Sequence, residues 1–288
     1  MKVFVDWVVA RRYRLILLAI ALAPLLQPVA AALIGVETAR RGVVQGSISS
    51  LAGVGGMLIF ALLTGMNPSV AATLGLVTFF SGVVVGALLQ QSGNLGLAFQ
   101  GTVLLSFTLV CALSLFGPDP RSLFEPVIAE LSEVLRASGA PPEQVAAVEG
   151  WGGILLAAAV FSQLIGPLLL AYWWLCIASG RKRFGVEFRL LKLGRVLGVL
   201  ATAVIVLRLA FDAPLVQNLT ALALLAFVFQ GLAVLHAWAN AKRWHPGVLA
   251  PVYVLLITPF VVLVIFGLTV VGLVDNWFDL RASVRPQT

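Results

Sequence analysis

Gln230, His236, Trp238 and Asn240 stand close together at the end of an apolar run, 217–239. An imidazole can exchange a proton near neutral pH, a primary amide both donates and accepts, and an indole N–H donates from an aromatic body. His236 and Asn240 share a helical face at i, i+4, whereas Gln230 lies off it. The four form a candidate ligand-binding site. The competing reading is a hydrogen-bonded interfacial histidine, a turn or two from Lys242. Arg208 and Asp212, also four apart, suit an ion pair at a helix end or an arginine that reaches for the interface. Gln100 and Gln163 stand alone and suit hydrogen bonds between helices.

No HExxH, GxSxG, P-loop, CxxC or paired intramembrane acids occur, so the expectation is a protein that is not an enzyme and carries no metal or cofactor. Cys111 and Cys176 lie far apart in apolar segments and read as packed thiols. Asn218-Leu219-Thr220 matches a glycosylation sequon by chance, at a helix start.

These residues sit in a chain built for lipid. Of 288 residues 60% are apolar and 11% charged, with a mean hydropathy of +1.04; soluble chains carry about a quarter charged residues. The formal charge of +7 does not point to nucleic acid, because the bases sit at the ends of apolar runs, where they anchor to headgroups. Eight runs approach the roughly 20 residues needed to cross hydrocarbon: 15–36, 43–64, 70–90, 95–116, 150–178, 195–211, 217–239 and 247–274. They lack barrel-type alternation, so the expected fold is all-α, a polytopic transmembrane helical bundle of seven to eight segments. It forms one integral membrane domain, 1–288, with N-terminal helices over 15–116, an extramembrane loop 117–149 and C-terminal helices over 150–288.

The charges sort by sign. Loop 117–149 holds Asp119, Glu125, Glu130, Glu133, Glu143 and Glu149 against Arg121 and Arg136. Loop 181–195 holds Arg181, Lys182, Arg183, Arg189, Lys192 and Arg195 against Glu187. Basic loops stay cytoplasmic, which places 181–195 inside and 117–149 outside a bacterial inner membrane. In the acidic loop, Phe124, Val127, Ile128, Leu131, Val134 and Leu135 recur at helical spacing. That spacing predicts an amphipathic helix, either resting on headgroups or acting as a lid. Ser138-Gly139 ends it and Pro141-Pro142 opens another turn.

Counting crossings from the N-terminus exposes a conflict. If 15–36 crosses once, Arg40 and Arg41 fall outside and the acidic loop falls inside. Pro24 and Pro28 break the run, so a short hairpin or re-entrant segment with both ends cytoplasmic repairs every later loop. The alternative of a cleaved signal is weaker, since many apolar segments follow. Pro251 and Pro259 pose a milder version of the question in 247–274, which as one span leaves Asp275 to Thr288 outside. Gly42, Gly46, Ser49, Ser50, Gly53 and Gly56, then Gly82 and Gly86, supply small faces for close helix packing. Ala19 and Ala23 offer another, for internal packing or for docking a partner subunit.

The tail from Gln230-Gly-Leu-Ala-Val-Leu-His236 through the Pro-interrupted run to Gly272-Leu-Val-Asp275-Asn-Trp277-Phe-Asp279-Leu-Arg281 resembles the YybS-like family of bacterial membrane proteins, a domain of unknown function. The early basic cluster and Ala39-Arg40-Arg41-Gly42 are similar too. That family is distantly similar to the substrate-binding components of energy-coupling-factor transporters, which dock a coupling subunit through small-xxx-small faces. The resemblance implies that Ala19 and Ala23 are the docking pair. The expected function is small-solute binding or transport, with the bilayer, other membrane subunits and a small-molecule substrate as partners. A non-transporting scaffold or regulator of envelope assembly is the alternative.

Overall fold

The computed structural model describes residues 2–117, 120–258 and 260–282; Asp119 and Pro259 lie outside them, as does the end of the tail. All described secondary structure is helical. The helices are α1 (Lys2–Ala10), α2 (Arg12–Leu22), α3 (Gln27–Arg41), α4 (Val43–Thr64), α5 (Pro68–Ser92), α6 (Leu95–Phe116), α7 (Pro120–Ala137), α8 (Pro142–Glu149), α9 (Gly152–Ala178), α10 (Phe184–Arg189), α11 (Gly194–Ala210), α12 (Pro214–Ala241), α13 (Ala250–Leu255) and α14 (Val261–Phe278).

Six of these, α4, α5, α6, α9, α12 and α14, are long and apolar enough to cross a membrane. The other apolar runs do not meet that length and hydropathy as single helices, for local reasons. The first run is interrupted, giving α2 with 11 residues and α3 with 15, about 17 and 23 Å long. Run 195–211 forms α11, whose 17 residues reach about 26 Å. The last run is divided between α13 and α14.

The chain clusters into two compact units, Met1–Thr102 with Ser162–Lys192, and Val103–Phe161 with Leu193–Thr288. In the first, the chain reverses between α2 and α3. Arg12, at the start of α2, lies 3.4 Å from Glu37, near the end of α3. Helix α3 begins after Leu26 without a side-chain cap, and Pro28 sits in its first turn, where the missing N–H costs nothing. Gly42 then takes φ 93°, in the left-handed region, and turns the chain into α4. Helices α3 and α5 run parallel in close contact. A Cβ on Gly82 would strike the Ala31 carbonyl, and one on Gly86 the Gly35 carbonyl, so the predicted small face is where the backbones meet. Ala19 and Ala23 are buried in this unit and present no exposed surface.

In the second unit, residue numbers rise together along α12 and α14. Thr269 Oγ1 donates to the Leu224 carbonyl (3.5 Å), Gln230 bonds Asp275, and Trp238 Nε1 donates to the Leu280 carbonyl (3.4 Å). The two helices are therefore parallel, touching where Gly231 meets the Leu268 carbonyl and Gly272 meets that of Phe227. Residues 242–260 must carry the chain back along the unit before α14 begins. This corrects the single span over 247–274: the end of α14 lies at the same end of the unit as Trp238. In the acidic loop, α7 and α8 pack together and Arg136 pairs with Glu149 at 2.7 Å. Val127 and Val134 on α7 are exposed.

Candidate functional site

Asp275 and Arg281 are the most deeply buried ion pair among the described residues, their side chains 0% and 4% exposed. The contact is two-pronged: Arg281 Nη2 to Asp275 Oδ2 at 2.8 Å and Nε to Oδ1 at 3.2 Å. Local structure makes it possible. Helix α14 ends at Asp279, which adopts φ 45°, and this left-handed turn brings Arg281 back onto the helix it has just left. Gln230 completes the network from α12. Its Nε2 donates to Asp275 Oδ2 at 2.7 Å, and its Oε1 accepts from the Leu193 backbone N–H at 3.0 Å, at the mouth of α11. A carboxylate and a guanidinium removed from solvent cost several kcal/mol each, roughly, and this geometry offsets much of it.

Beside the network, Asn276 is buried against Gly198, which has no room for a Cβ. Its Oδ1 has no hydrogen-bond partner among the described residues. Buried polar atoms are paired in the great majority of cases, so an orphan acceptor next to a buried ion pair marks a site open to one more donor.

The four residues singled out by sequence part company here. Gln230 belongs to the network. His236 Nε2 meets Tyr253 Oη at 2.6 Å, fastening the returning segment to α12. Trp238 caps the turn after α14 through Leu280, and Asn240 is exposed. Gln100 donates to the Lys192 carbonyl and Gln163 to Ser81, both as bonds between helices or their ends. Arg208 pairs with Asp212 at 3.0 Å. Cys111 and Cys176 are free thiols, and among the described residues no cluster of His, Cys, Asp or Glu could hold a metal.

A second polar cluster closes the α2–α3 reversal. Glu37, 2% exposed, faces Arg12 at 3.4 Å and Arg41 at 3.6 Å. Arg12 also donates to Gln45 Oε1 (2.8 Å) and Ser49 Oγ (3.2 Å) on α4. Burial holds the Glu37 carboxyl above its ordinary range, an effect that Arg41, Arg12 and Arg40 offset only in part. Sequence reasoning passed over Glu37. The available signal was its rarity, since Asp6 and Glu37 are the only acids in the first hundred residues, together with its i, i+4 spacing to Arg41.

The chain matches no protein-family model, no curated protein and no solved structure. Six long apolar helices make it a multi-pass membrane protein in contact with the bilayer.

Proposed function

We propose that this chain is a bacterial cytoplasmic-membrane protein that binds a small polar solute and serves as the substrate-binding membrane subunit of a transporter, related to the YybS-like proteins. The observation that carries this reading is the buried Gln230–Asp275–Arg281 network with the unpaired Asn276 acceptor beside it. Charge buried among apolar helices is costly and is a functional suspect by default, because a hydrophobic replacement would hold the helices at less expense. The broken, returning segment between α12 and α14 supports the same reading. Interrupted backbone at membrane depth is tolerated where protein shields it or where it lines a cavity. In this reading the acidic loop lies outside the cell, the basic loop and both ends of the α2–α3 reversal lie inside, and α14 ends inside. With Ala19 and Ala23 buried, a coupling subunit would dock elsewhere.

Native mass spectrometry of the full chain, released from mild detergent, tests the proposal. A stoichiometric small molecule on the wild type, lost in Gln230→Ala and Asn276→Leu, supports it. Protein free of any small molecule, pulling down envelope-assembly components alone, would overturn it in favour of a scaffold.

A further inference from the structure

Two cavities lie side by side at the end of α9, both within the first unit. One, of about 300 Å³, is walled by Arg40, Arg181, Arg183, Tyr172 and Ser179, with Gly93 at its edge. The other, of about 370 Å³, is walled by Lys2, Lys182, Trp173 and Phe184. Cys176 and Arg181 line both. Five cationic side chains thus border a small volume with no acidic residue among those lining it. Arg183 is committed to Glu187 at 2.9 Å. Glu187 in turn accepts from the Leu95 N–H at 2.7 Å, which fastens the basic loop to the α5–α6 turn and stiffens the rim. Among the described residues, neither Arg40 nor Arg181 makes an ion pair, so although Arg40 acts on Glu37 through space, the donors of both line the cavity without a direct carboxylate partner.

Glu187 answers Arg183 and Glu37 lies within the field of Arg40, which leaves positive charge in excess around the two cavities, and a phosphate relieves that excess by accepting two parallel N–H bonds from a guanidinium fork. The apolar part of the wall comes from Trp173, Leu175 and Ile177 on α9, one of the membrane-crossing helices. We infer that these paired cavities bind a phosphate ester, the headgroup of an anionic phospholipid whose acyl chains lie along α9. Basic pockets at the cytoplasmic ends of membrane helices are suited to such headgroups, and aromatic side chains at the same level fit the interface.

The test uses the full chain in detergent, with native mass spectrometry reading retained ligand. Phosphatidylglycerol, phosphatidylcholine and glycerol 1-phosphate are titrated separately, and glycerol 1-phosphate is also added as a competitor. Wild-type protein should retain phosphatidylglycerol at least tenfold better than phosphatidylcholine. The Arg40→Gln/Arg181→Gln variant should bring that preference within twofold, while Arg243→Gln, which removes a charge from a residue lining neither cavity, keeps it. Ser179→Glu, which sets an exposed carboxylate in the first cavity, should also abolish the preference and stands in if the double variant fails to fold. Glycerol 1-phosphate that binds alone and displaces the lipid would assign the same site to a soluble phosphate ester; failure to compete would assign it to lipid. No preference in the wild type, or equal loss in Arg243→Gln and the cavity variants, would overturn the inference.

Discussion

Replacing Arg281 by glutamine leaves Asp275 charged, wholly buried and held by Gln230 alone. Breaking a buried pair from one side costs about 3–5 kcal/mol, because the remaining charge has lost its counter-ion without regaining water. Asp275→Asn removes the counter-charge of the buried Arg281 and should cost a similar amount. The double variant removes both charges, and asparagine at 275 can still accept from Gln230. Its residual loss is that of imperfect hydrogen bonding, about 1–3 kcal/mol. The double-mutant coupling should therefore be at least about 3 kcal/mol, with the double variant more stable than either single one. Reversible unfolding in mixed micelles, followed by helical signal against denaturing detergent, measures all four proteins. Additivity within about 0.5 kcal/mol would show that the two side chains do not depend on each other, and would refute the reasoning.

Three further outcomes follow from the packing and the topology. Gly272→Ala drives a Cβ into the Phe227 carbonyl and should destabilise by about 1–3 kcal/mol in the same assay, whereas Gly55→Ala, which meets nothing within 4 Å, should be neutral or stabilising by up to about 1 kcal/mol. In a background with Cys111 and Cys176 replaced by serine, Lys242→Cys and Ala282→Cys should react with an impermeant thiol reagent from the same side of the membrane, and Glu143→Cys from the other; opposite sides for 242 and 282 would overturn the parallel arrangement of α12 and α14. Arg12→Ala removes the link from α2 to Glu37, Gln45 and Ser49, and protease cleavage between Leu22 and Gln27 should accelerate several-fold; an unchanged rate would mean that the reversal is held by apolar packing.

Much of the scaffold was legible because lipid imposes a simple rule. Backbone polar groups must be satisfied inside each segment, so long apolar runs become helices, and runs 43–64, 95–116 and 150–178 correspond closely to α4, α6 and α9. Prolines showed where continuity fails. Pro24 and Pro28 bracket the α2–α3 reversal, and α8 begins at Pro142. The Gly82/Gly86 spacing named a contact face without naming its partner, α3, whose own Ala31 and Gly35 meet it. The candidate site was legible only in part. Gln230 was conspicuous as an amide in an apolar helix, but its partners Asp275 and Arg281 stand in the stretch that a single span over 247–274 leaves outside the membrane. Nothing local in the sequence signals that Asp279 turns the chain back onto α14.

By itself, then, the sequence determined the class of protein, the positions of the long helices and the sorting of charge by sign into two separate loops, because hydropathy and helix breaking act over one or two turns. Tertiary structure decided which helices run parallel, that residues 242–260 return instead of spanning once with α14, and that Asp275 is buried against Gln230, 45 positions away. Those outcomes depend on which glycine faces touch, and a glycine records that a neighbour comes close without recording which neighbour it is.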